Sequence, residues 1–319
     1  MIDRRELGVR LVTVLVSCSL VAALSAPSAA IAEPLALPGA APVARAAILP
    51  LEGNTYDFAH DAGTVHPERS FLGRAFLHTQ AAVDPAAPLP VLVFLHGLNR
   101  ERIEHRWMGG GTEGDLRRLL SVMMEAEEIP PMIVLAPSTT DPIWASTSTM
   151  IWPAFDLDLF LDMAGARLRG LATIDRSRIV LAGHSGAGCN ESGGLATALE
   201  ADVGALAVLA IDTCMRPELA RSLARANPTT HVVVSWQSRT WSDRPFDDFR
   251  SVFAAEQAKA PPGEGVLREL AYESPTDPGP HDAMVPLTLR KWLPRILPAP
   301  VDKAADPDEA STLERGEGS

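Results

Sequence analysis

The sequence predicts an α/β protein, a three-layer arrangement in which helices cover both faces of a mostly parallel sheet. Three observations carry this reading. Apolar runs bounded by turn residues alternate with helical periodicities, the pattern of parallel strands joined by crossover helices. A β-branched run over 178–182 leads directly into Gly183, His184, Ser185, Gly186 and Ala187 and then into a small-residue helical pattern, which reads as strand, tight turn and helix. The central stretch of about 250 residues fits one domain with a large core, and no internal repeat interrupts it.

Strand-like runs lie at 71–78, 91–96, 132–136, 178–183, 205–211, 231–236 and 267–272. Helical patterns separate them. Residues 112–127 place Leu116, Leu119, Leu120 and Met123 on one face, and 155–171 repeats apolar residues at three-to-four spacing. Further helices are expected at 192–199, 217–224, 246–258 and 286–297. In such sheets catalytic groups gather in loops at the carboxyl ends of the strands.

The ends of the chain differ from its centre. Arg4, Arg5 and Arg10 precede an apolar run over 11–24, and Ala30, Ile31 and Ala32 offer a small-x-small cleavage site. Residues 1–32 read as a bacterial secretory signal peptide, too short in its apolar part to span a bilayer. Arg4 and Arg5 also give it some likeness to a twin-arginine signal. The expected destination is the periplasm or the medium; the alternative is a lipoprotein anchored through Cys18, because residues 15–18 resemble a lipoprotein cleavage box. Residues 33–50 form an Ala/Pro-rich linker, 51–298 the folded domain, and 299–319 an acidic tail expected to be disordered.

The formal charge is −12, and loss of a segment with three arginines against Asp3 and Glu6 takes the mature chain to −13. Such a surface disfavours nucleic acid and anionic lipid as partners. Cys189 and Cys214 survive cleavage. Cys189 lies in the first turn after Ser185 and Cys214 just beyond the next strand, so a disulfide bracing that turn is expected, the alternative being two buried thiols.

Ser185 stands at the apex of the turn. A turn this sharp strains the serine backbone and demands small residues two positions either side, which Gly183 and Ala187 supply. A serine hydroxyl needs a base, an acid to orient the base, and donors for an oxyanion. His281 is the candidate base, in a loop built from Pro278, Gly279 and Pro280 between the last strand and the final helix. The candidate donors are the amides of Gly186, with the helix dipole behind it, and of Leu98 in the turn after the second strand-like run. His96 at that strand end reads as structural, and His184 as packing or bonding locally. The candidate acid is Asp212, with Asp243 as the alternative. The remaining histidines show no pairing that suggests a metal site.

Five of the six tryptophans fall in or beside loops at the expected catalytic edge. They suggest an aromatic-lined cleft for sugars or aromatic acyl groups, with Trp107, Trp152 and Trp236 as its contacts; the alternative is that each packs under a loop. Gly109, Gly110 and Gly111 suggest a mobile loop and not a phosphate cradle.

In their order, the strand ending at His96 and Gly97, the Ser185 turn, an acid, and His281 followed by Asp282 resemble the α/β-hydrolase superfamily over residues 50–298. Residues 155–158 and 174–185 resemble those of secreted bacterial carboxylesterases related to carbohydrate esterases. The resemblance implies an eight-stranded sheet, a Ser185 nucleophile, a His281 base and no cofactor. It also places the acid more usually after the strand at 231–236, which is what keeps Asp243 in view. The short connection from Asp212 to His231 leaves no room for a large lid. The expected activity is hydrolysis of a small-molecule or carbohydrate-linked ester. An amidase or peptidase using the same residues, and a catalytically silent binding protein on the same fold, are the alternatives.

Overall fold

The computed structural model describes residues 51–61, 70–111, 114–240 and 244–299. The predicted signal peptide with Cys18, the linker, the acidic tail from residue 300, Trp241 and Asp243 all lie outside them.

The strands are β1 (Gly53–Asp61), β2 (Ser70–His78), β3 (Pro88–Leu95), β4 (Ile133–Ser138), β5 (Thr173–His184), β6 (Ala207–Ile211), β7 (His231–Trp236) and β8 (Arg268–Tyr272). They form one sheet in the order β1-β2-β4-β3-β5-β6-β7-β8. The β1–β2 and β2–β4 pairs are antiparallel and all others parallel. The helices are α1 (Leu116–Glu125), α2 (Leu157–Arg167), α3 (Leu195–Ala198), α4 (Pro217–Ala224), α5 (Phe246–Lys259) and α6 (Pro280–Ile296).

Alternate residues of the central strands feed two cores. Val91, Val93 and Leu95 of β3 pack with Leu157, Phe160, Leu219 and Phe249 from α2, α4 and α5. Leu92 and Phe94 face the other way, with Leu116 and Leu120 of α1 and Met284, Leu289 and Leu293 of α6. A strand covered on both sides must be apolar at nearly every position, and β3 is buried from Pro90 onward. Asp115 and Asp156 cap α1 and α2, their carboxylates accepting from the amides of Arg117 and Leu159.

Four expectations are corrected. β1 was not foreseen, because only Tyr56, Phe58 and Ala59 break its polar run; it is an edge strand held by β2 alone. The last helix begins at Pro280 and not near 286. Proline fits the first helical position, where no amide partner is needed, and Pro286 lies inside the helix. The helix expected over 192–199 is a single turn, since Gly193 and Gly194 crowd its start: a Cβ on Gly194 would lie 2.2 Å from the Ala187 oxygen. The glycines read as a mobile loop are closely packed at Gly110, where a Cβ would lie 1.7 Å from the Glu104 oxygen.

Candidate active site

Register brings the site together. In the parallel β5–β6 pair His184 lies opposite Ile211, so Ser185 and Asp212 are each the first residue beyond the paired ends of adjacent strands. Both have left-handed backbones, with φ of 55° and 47°. For non-glycine residues this is uncommon and is held only where the surroundings dictate it. The Asp212 amide donates to the Ser235 oxygen at the end of β7 (2.7 Å), which fixes the turn of the chain there.

The turn after Ser185 is a 3-10 helix over Ser185–Gly188, not the α-helix expected from the sequence, so no long helix dipole stands behind the Gly186 amide. Its replacement anchor is covalent. Cys189, directly after the 3-10 turn, forms a disulfide with Cys214, two residues past Asp212, with 5.2 Å between their Cα atoms. The cross-link ties the Ser185 turn to the Asp212 loop.

His281 stands in the first turn of α6, and the loop position expected for it is corrected accordingly. Its Nδ1 lies 2.5 Å from Asp212 Oδ2. A carboxylate only accepts, so Nδ1 is the donor, and in the neutral imidazole Nε2 is then the nitrogen that carries the lone pair. His184 is buried beneath, its ring 4.4 Å from that of His281, and its Nε2 donates to the His281 carbonyl (3.1 Å). Burial pushes the His184 imidazole well below its usual range, with the His281 charge adding to this, so His184 stays neutral under its neighbour.

Asp212 is wholly buried and fully bonded. Its Oδ1 accepts from Arg244 Nη1 (2.6 Å) and the Gln237 amide (3.2 Å), and its Oδ2 from His281 and Gln237 Nε2 (2.8 Å). Burial alone would raise its pKa, but the bonds from His281, Arg244 and Gln237 prevail and hold it at about 2. The shift contributes stability that is present above the ordinary carboxyl value and lost as the pH falls through about 2.

The turn after β3 faces Ser185. A Cβ on Gly97 would lie 2.5 Å from Ser185 Cβ, 2.9 Å from its Oγ and 3.2 Å from the Gly186 nitrogen; one on Gly186 would lie 3.0 Å from the Leu98 nitrogen. Only glycine at both positions lets the Leu98 and Gly186 amides approach the same small volume. The turn is fastened from several sides. His96 is buried, with its Nδ1 donating to the Gly97 carbonyl (2.7 Å) and its Nε2 accepting from the Thr139 amide. Burial lowers its pKa to about 4, outweighing the Gly97 bond, so it is a neutral strut. Arg106 Nη1 donates to the Leu98 carbonyl (2.7 Å) and Asn99 Nδ2 to the carbonyls of Ile103 and Thr139.

Two cavities meet at Ser185. One, of about 300 Å³, is lined by His281, His184, Asp282, Leu98 and the charged Arg100, Glu101 and Arg106. The other, of about 360 Å³, is lined by Leu98, Gly186, both cysteines, Ser148 and Arg244. None of the three tryptophans assigned to the cleft lines either. Trp107 is buried against Phe94 and His184. Trp152 is buried and its indole donates to the His96 carbonyl (2.9 Å), so it bolts down the turn that carries Leu98. Trp236 stacks on Phe246 at 3.7 Å. Large rings with one polar edge serve here as struts beneath loops.

Among the described residues, His184, His281 and Asp282 bring three potential metal donors within 4.8 Å of one another, as do Glu52, His78 and Glu125. In the first group His281 Nδ1 and His184 Nε2 are already engaged; in the second, two of the three residues are exposed carboxylates. No helix among the described residues is long and apolar enough to cross a membrane. Sequence reasoning did not single out Gln237 or Arg244. The signal available was an arginine and an amide flanking the loop in which the acid is more usual.

No protein-family model matches the chain, and no curated protein matches it. Solved structures do. A ferulic acid esterase superposes with a TM-score of 0.54 at 16% identity, over 77% of this chain and 98% of that one. The S954A mutant of the feruloyl esterase module from Clostridium thermocellum, complexed with sinapinate, gives 0.53 at 13% identity over 77% and 88%. An S-formylglutathione hydrolase from Agrobacterium tumefaciens gives 0.51 at 14% over 77% and 97%. With this strand order and these neighbours, the chain has the α/β-hydrolase fold.

Proposed function

We propose that the protein is an exported serine hydrolase that cleaves carboxylic esters through an acyl-enzyme on Ser185. The observation that carries the reading is the His281–Asp212 contact, which makes Nε2 the basic nitrogen of the neutral imidazole in a residue that lines the same cavity as Ser185. His281 takes the Ser185 proton as Oγ attacks the carbonyl carbon. The Leu98 and Gly186 amides hold the oxygen as it becomes negative. The imidazolium then passes its proton to the leaving alcohol, and a water activated by the neutral imidazole releases the acid. Ionised Asp212 keeps His281 in the productive tautomer and offsets its transient charge. The disulfide is in keeping with export to an oxidising compartment. The charged wall of the first cavity suits a polar or carbohydrate-linked ester.

A fluorophosphonate probe is expected to label the folded mature protein on Ser185 alone, as mapped by mass spectrometry, with hydrolysis of p-nitrophenyl acetate lost in step. Folded protein that takes no label overturns the reading in favour of a silent binding protein. Faster turnover of a matched anilide than of its ester moves it to an amidase.

Gly97→Ala provides a test of the packing against Ser185. The added methyl falls inside contact distance of the hydroxyl, and a displacement of about 1 Å there is expected to slow labelling on the order of 10²-fold. Labelling at the parent rate would mean that the turn after β3 does not set the position of Ser185.

A further inference from the structure

We infer that Arg244 is a positioning residue of the acid–base pair, fixing the Asp212 carboxylate and setting the pH at which His281 becomes able to accept a proton. The inference rests on the reading of His281 as the base.

The chain leaving β7 returns to Asp212 at both ends of residues 237–244. Gln237 bonds the carboxylate through its amide and side chain, and Arg244 through Nη1 at 2.6 Å. The far end is anchored by Phe246, whose ring stacks on Trp236 and whose amide donates to the Arg244 carbonyl (2.7 Å). Arg239 of the same segment donates to the carbonyls of Pro275 and Asp277, just ahead of His281. One loop therefore grips the acid and the approach to the base.

The Arg244–Asp212 pair is almost wholly enclosed, with side-chain exposures of 5% and 0%. At such a site water and salt screen a charge less than at the surface. With His281 neutral, Arg244 and Asp212 cancel. Once His281 accepts a proton, the bonded trio of Arg244, Asp212 and His281 holds two cations against one anion. Arg244 thus disfavours the imidazolium and keeps the base free to lower pH than an Asp–His pair alone would.

Among the described residues, the other charged or titratable groups that line the cavity with His281 come from three elements. They are His184 at the end of β5, Asp282 on α6, and Arg100, Glu101 and Arg106 on the loop after β3. His184 is neutral, and the rest stand at a partly or fully exposed rim where water screens them. Arg244 is the enclosed cation that touches the Asp212 carboxylate.

The test is the rate of fluorophosphonate labelling of Ser185 from about pH 4 to 9, in full-length mature protein. In Arg244→Gln the acid limb is expected to move up by about 1 pH unit. Arg244→Lys, which keeps the charge, is expected to stay within about 0.3 unit of the parent. Gln237→Leu removes a neutral bond from the same carboxylate and is expected to lower the plateau without moving the limb. An unmoved limb in Arg244→Gln, or an equal shift in Arg244→Lys, overturns the inference. If Arg244→Gln does not fold, Arg244→Lys and Gln237→Leu decide: two unmoved limbs support the role of charge, and a shift of about 1 unit in either ends it. A parent protein without label on Ser185 defeats the underlying reading. A labelled parent with a normal acid limb and an unmoved variant defeats only the role of Arg244.

Discussion

Alanine at His281 is expected to lower turnover of p-nitrophenyl acetate by a factor on the order of 10⁶, with the fold retained. A serine hydroxyl alone is a poor nucleophile, and among the described residues His281 is the imidazole that shares its cavity with Ser185 and has its Nδ1 held by a carboxylate. His184 also lines that cavity, but its Nε2–H is bound to the His281 carbonyl. Ser185→Ala is expected to cost as much, and the double variant no more than either single one, because the two residues act as one unit. Additive losses in the double variant would mean that His281 and Ser185 serve separate steps. A His281→Ala protein within about tenfold of the parent would remove His281 from the mechanism.

Asn at Asp212 is expected to reduce turnover by about 10⁴-fold. The amide nitrogen can turn towards His281, and the imidazole then presents the wrong tautomer to Ser185. The substitution also leaves Arg244 enclosed without its anion. Breaking a buried pair from one side costs roughly 3–5 kcal/mol, so thermal melting should fall together with activity. Measuring both separates this result from that for Ser185→Ala, which should leave melting nearly unchanged. A loss in Asp243→Asn as large as that in Asp212→Asn would return the acid to the loop after β7.

The sheet was legible because its strands are covered on both faces. A run such as Val91–Leu95 has no alternative burial, and every central strand could be placed from hydrophobicity alone. The edge strand β1 was not legible, since one partner and one covered face leave a mostly polar sequence with a few aromatic residues. Ser185 was found because a sharp turn writes its own constraint into the neighbouring small residues. The sequence leaves Asp243 beside Asp212 as a candidate acid, because the position of Asp212 depends on register. It becomes the neighbour of Ser185 only once β5 and β6 pair with His184 opposite Ile211, a fact no local pattern contains. The tryptophans misled for a related reason. Proximity in sequence to a catalytic loop does not distinguish a ring that lines a cleft from one that supports the loop from below, as Trp152 does at His96.

The Cys189–Cys214 bond separates two properties that are usually measured as one. It closes a loop across 25 positions, a constraint worth about 3.5 kcal/mol in the chain-entropy description. That gain falls on the joint between the loops that carry Ser185 and Asp212, while the sheet has its own extensive core. Protein made where thiols stay reduced would therefore give the spectrum and compactness of the native fold, yet carry Ser185 and Asp212 on loops that no longer move as one piece. For this molecule a measure of foldedness is a poor proxy for the fraction of competent sites. Active-site titration of the oxidised preparation is the quantity by which batches should be compared.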